Sequence, residues 1–346
     1  MKGRPALSYR SAGVGIDAME QALRRVRTLA RSTPRKGVLG GVGGFGGLFR
    51  IPTRGMRDPI LVASVDGVGT KLRVALEAGI HNTVGQDLVA HCINDILVQG
   101  ARPLFFMDYL ATGSLRPQVV VEVISGITRA CRRFGCALLG GETAEMPGFY
   151  APGDYDVAGF IVGVVDKKCL LDGSRVRAGD RLLGLASDGL HTNGFSLARK
   201  VLFERMGLRI HSRLPATGRS VARELLRPHR CYGKALAPLL RSGRIQAMAH
   251  ITGGGITDNL PRVLPSGCAA RVSTGAWKTP AVFRILQEGG TISDREMLRT
   301  FNMGIGMILI VRPKQGVAVT RSLQRAGERV FEIGQIVSGR RRVIYE

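Results

Sequence analysis

Two glycines, an aspartate and a lysine stand close together in the segment Asp66-Gly67-Val68-Gly69-Thr70-Lys71. The apolar residues 60–65 predict a buried strand before it, and the residues from Leu72 onward predict a helix after it. Glycines between a strand and a helix let backbone N–H groups approach an anion, so the segment fits a bound phosphate. Asp66 would then face a cation and Lys71 a phosphate oxygen. The same residues also fit a tight turn capped by Asp66, and their spacing is not that of a Walker A loop.

Polar residues recur at every fourth position in the segment 86–99, whose apolar residues are spaced as in a helix. Asp87, His91 and Asp95 therefore lie on one face of that helix. This face predicts either a metal site or the commoner arrangement, a solvated stripe on an amphipathic helix. Asp95 comes near the end of the predicted helix, where we expect it to reach the Asp66 segment.

A third acidic residue, Glu142, follows Gly140 and Gly141 at the end of the predicted strand 136–140. Alone, it fits a turn in which the carboxylate binds a nearby backbone N–H. Three acid-bearing segments in one half of the chain favour a magnesium site more than any one of them does, because carboxylates together with phosphate oxygens are the usual ligands of Mg²⁺.

Glycine-framed turns also carry polar residues in the second half of the chain. His191 and Asn193 lie in the turn 187–196, where a histidine can act as a general acid or base or bind a phosphate. The segment 250–255 ends in three glycines and resembles a backbone anion nest, and Arg299 stands shortly before two further glycines. Each of these turns fits a loop without a ligand equally well.

The length of 346 residues predicts two domains, with the polar segment 166–180 as the link. Strands and helices alternate in both halves, and two closely spaced strands at the end suggest a hairpin, which favours a mixed sheet over a purely parallel one. In the first half we expect helices at 17–31, 83–99 and 116–134 and strands at 60–65, 103–110, 136–140 and 157–165. In the second half we expect strands at 181–186, 247–251, 269–273, 305–311, 330–337 and 341–345, and helices at 195–206, 219–227, 231–242, 256–263, 280–288 and 314–326.

The formal net charge of +24 makes a nucleic-acid-binding function an alternative to consider. Aromatic residues make up only 5% of the chain, and we find no stacking motif or recognition helix, so a solvated arginine-rich surface explains the charge better. No apolar run approaches the roughly 20 residues of a membrane helix, and the N-terminus lacks a signal-peptide core. The six cysteines form no Cys-x-x-Cys pair, which favours a reduced, cytoplasmic setting and packed thiols.

Taken together, these segments resemble the phosphoribosylformylglycinamidine cyclo-ligases, also called aminoimidazole ribonucleotide synthetases. The order and spacing of the shared motifs hold over nearly the whole chain, and the set is far more specific than any single motif. The resemblance rests on Leu7-Ser8-Tyr9 with Ala12-Gly13-Val14, on residues 40–46, 66–71, 94–95, 98–101 and 103–106, and on residues 140–147, 155–159, 191–194, 250–255 and 299–306.

The resemblance implies an ATP-dependent ring closure in purine biosynthesis that converts formylglycinamidine ribonucleotide into aminoimidazole ribonucleotide. It implies an α+β (mixed α/β) fold of two domains. Residues 1–168 would bind ATP and pair in a homodimer through a mixed sheet, and residues 169–346 would form a sandwich-like α/β domain that binds substrate and phosphate. The chemistry needs metal and cationic groups around a phosphoryl group more than a protein nucleophile.

The resemblance also assigns roles to residues of this chain. Asp66, Asp95 and Glu142 would hold magnesium on the ATP phosphates, and the loop 40–47 would close over the site. His191, Asn193 and Asp95 would act on the substrate or the transferring phosphoryl group. The nucleotide would be held by Asp66, Gly67, Val68, Gly69, Thr70, Lys71, Gly141 and Glu142.

Two departures from the family pattern stand out. Arg27 occupies a position near the nucleotide where a lysine is expected, and the family does not require His91, which leaves Asp95 as the better-supported member of the helix face. Related ATP-using enzymes of the same architecture remain alternatives. Among them, selenophosphate synthetase would need a reactive cysteine near the early glycine loop, and the hydrogenase-maturation enzyme a C-terminal cysteine, and this chain has neither.

Overall fold

The computed structural model of the chain describes residues 16–40 and 44–346. Within these ranges, two main β-sheets with their own helices follow one another along the chain. The motif residues before Ile16 and part of the predicted closing loop, residues 41–43, lie outside the description. The elements of the first half are α1 (Ile16–Arg31), β1 (Pro59–Gly67), α2 (Lys71–Ala78), α3 (Val84–Leu97), β2 (Arg102–Thr112), α4 (Pro117–Phe134), β3 (Ala137–Glu145) and β4 (Tyr155–Asp166).

The first sheet has the strand order β1-β4-β2-β3, with β2 and β3 parallel and the other neighbours antiparallel. Helix α4 makes the crossover that two parallel strands require. It begins at Pro117, whose missing N–H is no loss in a first turn, and it ends before Gly135, which adopts a φ of 80°. Its buried residues recur at helical spacing and include Val120, Val123 and Ile127.

Helix α3 is enclosed on all sides. The first sheet and α4 cover one side, and residues of the second half cover the other. Every residue of α3 is buried except Gln86 and Asp95. The interpretation of Asp87, His91 and Asp95 as a solvated stripe is therefore wrong, because another part of the chain packs on that face.

The second half of the chain contains a six-stranded sheet of order β12-β9-β11-β5-β10-β8. Its elements are β5 (Arg181–Ala186), α5 (Phe195–Arg199), β6 (Arg213–Leu214), β7 (Arg219–Ser220), α6 (Val221–Leu225), α7 (Gly233–Leu240), β8 (Ile245–His250), α8 (Gly255–Asn259), β9 (Cys268–Val272), α9 (Ala281–Gly290), α10 (Asp294–Thr300), β10 (Ile305–Val311), α11 (Pro313–Arg325), β11 (Val330–Ser338) and β12 (Val343–Tyr345). Every residue of β10 is buried, because Ile308 and Ile310 pack on one side of the sheet and Met307 and Leu309 on the other.

The predicted two-domain, mixed α/β fold is confirmed. The expected hairpin at the C-terminal end is wrong, because β9 lies between β11 and β12 and pairs in parallel with β12. The helix expected at 195–206 continues beyond Arg199 as a π-helical turn, and the one expected at 219–227 begins at Val221 because 219–220 pair with 213–214. Helix α10 was not expected. No helix in the described ranges has the length and apolar character to cross a membrane.

The outer face of the first sheet is apolar and largely uncovered. Leu61, Val65 and Phe160 are each about half exposed, at 51%, 56% and 46%. These residues alternate with less exposed ones along their strands, so the face opposite α3 and α4 carries them. An uncovered apolar face of this kind is typical of an interface with another chain.

Candidate active site

A cleft of about 520 Å³ lies between the two halves of the chain. The first half contributes the end of β1 and one side of α3, and the second half contributes the end of β8 and the segment after it. The polar side chains that line the cleft include Asp66, His91, Asp95, Asp172, His250, Thr252, Asn259 and Arg262. Two segments that the sequence singled out therefore contribute to this cleft, 66–71 through Asp66 and 250–255 through His250 and Thr252.

Asp66 and Asp95 converge on His91 in the cleft. The distance from His91 Nε2 is 2.8 Å to Asp66 Oδ2 and 3.8 Å to Asp95 Oδ2. Burial lowers the pKa of His91, but its hydrogen bond to Asp66 and the charges of Asp95, Asp66 and Asp87 outweigh that effect and raise the pKa overall. Two neighbouring carboxylates whose side chains are partly exposed, at 38% and 26%, fit a hard divalent cation bound together with phosphate oxygens.

Asp95 is held in place from the second half of the chain. His250 Nδ1 lies 2.8 Å from Asp95 Oδ1, and Ser64 Oγ donates to Asp95 Oδ2 at 3.3 Å. Burial raises the pKa of Asp95, but these bonds and the neighbouring histidines lower it overall, which favours the carboxylate form. One donor atom from each of His91, Asp95 and His250 lies within 4.8 Å of the others, so this group also satisfies the spacing of metal ligands.

Lys71 lies behind the cleft rather than in it. Its side chain has no exposed surface, and Nζ forms an ion pair of 2.9 Å with Asp87 Oδ2, which is also fully buried. Nζ further donates to the carbonyl oxygens of His191 at 3.0 Å and Arg227 at 2.8 Å. Burial lowers the pKa of Lys71 and raises that of Asp87 to about 6. The ammonium group is fully engaged within the protein, so the structure does not place it to bind a phosphate oxygen.

Four of the six histidines of the chain form one buried cluster next to this ion pair, and we call it the histidine cluster: His91, His191, His229 and His250. His229 Nε2 and His250 Nε2 are 3.0 Å apart, and the rings of His191 and His229 stack with centroids 4.0 Å apart. Thr192 Oγ1 links His91 Nδ1, at 2.8 Å, to His229 Nδ1, at 3.3 Å. Burial holds the pKa of His191 and His229 well below the ordinary value, so both rings are neutral.

The predicted catalytic residue His191 belongs to this interior and does not line the cleft. Its Nε2 atom accepts hydrogen bonds from the backbone N–H of Asp188 and of Arg230, at 3.1 and 3.4 Å. Those bonds occupy the lone pair of Nε2, so His191 is closed to a metal at that atom. Asn193 donates to Thr192 Oγ1 at 3.4 Å and lies beside Gly253, at the rim of the glycine segment.

The structure does not bring Glu142 together with Asp66 and Asp95. Glu142 is exposed on β3, the strand at the opposite edge of the first sheet from β1. Three strand spacings, roughly 14 Å, separate the two edges. Glu142 pairs with Tyr109 on the neighbouring strand β2, and the same row of paired residues across the sheet ends at Gly67 in β1. Side chains in this row, including that of Glu142, point to the outer face of the sheet. The expectation of one three-carboxylate site is therefore wrong within a single chain.

Gly141 has a structural explanation. It pairs with Asp108 on β2, and a Cβ atom at Gly141 would lie against the Asp108 carboxylate. Burial raises the pKa of Asp108 to about 7. Gly141 thus makes room for a buried acidic group, a residue that sequence reasoning missed because it lies inside an apolar strand pattern.

Arg262 was also missed, although it is the cation that faces the cleft. It lies on the 3₁₀ turn after α8, and its side chain makes no ion pair or hydrogen bond within the described part of the chain. The feature of the sequence that could have pointed to Arg262 is its position shortly after the glycine segment 253–255. Arg299, which stood out in the sequence, instead lies on exposed α10 and pairs with Asp258 at 3.1 Å.

The chain matches two family models along most of its length. The model described as the AIR synthase related protein, N-terminal domain, matches residues 50–165, and the one described as the AIR synthase related protein, C-terminal domain, matches residues 177–346. A protein of Trichlorobacter lovleyi named phosphoribosylformylglycinamidine cyclo-ligase is 50% identical, over 97% of this chain and 96% of its own length. A protein of Geobacter metallireducens with the same name is 51% identical, over 96% of both chains.

Solved structures of other proteins share the fold. Thiamine-monophosphate kinase from Stenotrophomonas maltophilia K279a matches with a TM-score of 0.67 at 18% identity, over 94% of this chain and 96% of that chain. Hydrogenase maturation protein HypE in complex with ATP matches with a TM-score of 0.68 at 19% identity, over 96% of this chain and 92% of that chain. At these identities the likeness establishes the common architecture alone.

Proposed function

Because the chain belongs to the AIR synthase related protein family, we propose that it catalyses the reaction for which its relatives are named. The chain is an enzyme of the ligase class in purine biosynthesis. It uses ATP to close formylglycinamidine ribonucleotide into 5-aminoimidazole ribonucleotide, with release of ADP and phosphate. The observation that carries the proposal is the cleft that Asp66 and Asp95 line together with Thr252 and Arg262.

The proposed chemistry activates an unreactive amide oxygen. The γ-phosphoryl group of ATP passes to the formyl oxygen, an amidine nitrogen attacks the formyl carbon, and phosphate leaves with that oxygen as the ring closes. Phosphoryl transfer depends on positioning and on charge stabilisation rather than on a protein nucleophile. A site that holds both ends of the open-chain substrate together also removes much of the entropy cost of closure.

Asp66 and Asp95 are the residues that we propose hold Mg²⁺ with the ATP phosphates. Their converging oxygen atoms are the donor set that this ion prefers, and the bound ion would neutralise phosphate charge. We propose that Arg262 takes the phosphate-binding role expected of Lys71, because its guanidinium reaches the cleft without a partner in the described residues. The nucleotide role predicted for residues 67–70 stays a prediction, as do the roles of His191 and Asn193.

The carboxylate of Asp66 gives the sharpest test of this assignment. We expect Asp66→Asn to lower ADP release in the presence of formylglycinamidine ribonucleotide by about 10²-fold or more, because a cation ligand is lost. Asp58→Asn, at an exposed acid that pairs with Lys167 at 3.6 Å, is the matched control and should keep full activity. Full turnover of the Asp66 variant would refute the metal role. ADP release that does not depend on this substrate, or that depends on thiamine monophosphate instead, would refute the proposed reaction.

We further propose a homodimer that forms through the outer face of the first sheet. Leu61, Val65 and Phe160 would be covered by a second copy, and Glu142 on the same face would point toward the partner. Leu61→Glu should convert the dimer to a monomer in sedimentation equilibrium, whereas Val317→Glu, at an exposed apolar residue of α11, should not. A wild-type chain that sediments as a monomer would contradict the proposal. The cytoplasmic location that we propose accords with six free thiols.

A further inference from the structure

A second cavity, of about 500 Å³, lies on the other side of α3 from the cleft. Ile93 and Leu97 line this cavity, whereas His91 and Asp95 line the cleft. Positions 93 and 97 point about 200° away from 91 and 95 at the 3.6-residue period of a helix. Helix α3 is thus a wall shared by two separate cavities, and nothing in the proposed reaction uses the second one.

The walls of the second cavity are mainly apolar and come from both halves of the chain. The first half supplies Ile93 and Leu97 of α3, with Phe134 and Val164, and the second half supplies one side of α7 up to Leu240. A cavity of this size and character is typical of sites that enclose the apolar part of a small molecule.

The rim of the same cavity is cationic. Its charged residues are Arg102, Lys168, Lys234 and Arg241, with Asp166 as the acid. The Asp166 carboxylate is already engaged, because it accepts from the backbone N–H of Arg57 at 2.8 Å and of Lys168 at 3.3 Å. Within residues 16–40 and 44–346, the side chains of Arg102, Lys234 and Arg241 make no ion pair and no hydrogen bond.

Arg102 is the most informative of these cations. Arg102 is an exposed residue whose guanidinium pKa is lowered by partial burial, and no carboxylate of the described residues pairs with it. A partly desolvated cation next to an apolar cavity is stabilised when an anion binds beside it. The cavity therefore combines an apolar interior with a rim of exposed cations, of which Lys168 pairs with Asp166 at 3.9 Å.

We propose that this cavity binds a small anion with an apolar body, such as an alkyl phosphate or an alkyl carboxylate. The apolar chain lies against α3 and α7, and the anionic head group lies among Arg102, Lys234 and Arg241. Such a ligand contacts both halves of the chain at once. This site is independent of the ATP cleft and does not depend on the proposed reaction.

Cys169 provides a local reporter of occupancy. It lines the cavity, is a free thiol and is partly exposed. Cys231 is also free, but burial raises its pKa to about 12, so its thiol reacts slowly, and it lines a neighbouring cavity that shares Phe134 and Lys234 with this one. The rate at which N-ethylmaleimide modifies Cys169, read by peptide mass spectrometry on the full chain, therefore reports binding here, and glutathione in the same solution reports any general effect on the reagent.

The experiment compares octyl phosphate, octanoate and octanol at equal concentration. We expect either anion to slow modification of Cys169 by about tenfold at saturation, since the rate follows the free fraction of sites. Octanol should protect much less, and the modification of glutathione should be unaffected. Protection by one anion alone identifies the head group that the site prefers. Saturating ATP with Mg²⁺ should leave the protection unchanged, and loss of protection there would instead place the anion in the cleft and overturn the proposal.

Two variants test the rim and the interior separately. Arg102→Gln with Arg241→Gln should weaken octyl phosphate about tenfold or more, because two charge-assisted contacts are lost. Arg321→Gln with Arg325→Gln, on the exposed side of α11, changes the net charge equally and should have no effect. Ala237→Phe should fill the cavity and abolish protection. Equal protection in the wild type and in both cavity variants, or none in the wild type, would overturn the proposal.

Discussion

Asp66 and Lys71 belong to one glycine turn, but Asp66 ends in the open cleft and Lys71 in the buried interior behind it. The side chain of Asp66 is 38% exposed, whereas those of Lys71 and its partner Asp87 are not exposed at all. A partly hydrated carboxylate can exchange its partner for a cation, while a dehydrated ion pair cannot lose either member without a large cost. One charged residue of the turn is therefore open to the cleft, where we propose that it binds a cation, and the other joins the two domains.

Helix α2 contains the same contrast on a smaller scale. Lys71 pairs with Asp87 in the interior, and two residues later Arg73 pairs with Asp154 at the surface, where the two side chains are 53% and 36% exposed. Burial, rather than the presence of an ion pair, decides what each pair contributes to stability.

The largest expected effect comes from breaking the buried pair. Lys71→Met should lower the free energy of unfolding by about 3–5 kcal/mol, because the Asp87 carboxylate is left dehydrated without its cation. The midpoint of urea unfolding measures this change. Adding Asp87→Asn should restore much of the loss, since the amide oxygen can still accept from the backbone N–H of His229. If Lys71→Met kept full stability but lost ATP binding, the structural role would be wrong and Lys71 would instead bind the nucleotide in the cleft.

The next effect concerns Asp108, whose pKa is raised to about 7 by burial against an ordinary value of 3.8. Between those values the folded chain retains a proton that the unfolded chain releases, so stability falls as the pH rises from about 4 to 7. Asp108→Asn should remove the contribution of Asp108 to this decrease in the free energy of unfolding, which amounts to at most about 4 kcal/mol. Urea unfolding across this pH range measures it. Unchanged pH dependence in the variant would show that Asp108 is hydrated, unlike the interior residues.

A smaller effect is expected at the glycine that accommodates Asp108. Gly141→Ala should cost about 1–3 kcal/mol, because its Cβ would press on the Asp108 carboxylate. Gly140→Ala is the matched control, since a Cβ there meets no atom within 4 Å. Equal stability of the two variants in urea would mean that β2 and β3 separate easily at this point.

The smallest effect is expected at the exposed pair of α2. Arg73→Gln should change the free energy of unfolding by less than about 1 kcal/mol, because water screens the charge of Asp154. The ratio between this loss and that of Lys71→Met measures what burial adds. If Arg73→Gln and Lys71→Met lowered the free energy of unfolding equally, burial would not be what distinguishes the two ion pairs.

Local patterns predicted most elements because apolar runs and their periodicity are local properties. Helix α10 was missed although its signal is present: Ser293 caps the helix and accepts from the backbone N–H of Glu296, the pattern of a capping box. The strand with Glu142 was predicted too short because its pairing with β2 continues through polar residues to Glu145. That extension depends on a partner strand and has no signature in its own residues.

The depth of polar residues was the main property that local patterns did not predict. Asp87, His91 and Asp95 have one spacing, yet Asp87 is buried with Lys71 while Asp95 reaches the cleft. What separates them is the second domain, which packs on α3 through residues more than 100 positions away, such as His229. His229 itself had no motif around it, and only the assembled fold brings it to the cluster.

The bonds around α3 also limit how the enzyme can move. Lys71, Asp87 and Asn94 of the first domain bond backbone groups between residues 191 and 232 of the second, and all three side chains are buried. Swinging the domains apart on a hinge would expose this whole set at once, at a cost far above thermal energy. Access to the cleft is therefore not expected to depend on a hinge rotation that separates the two domains.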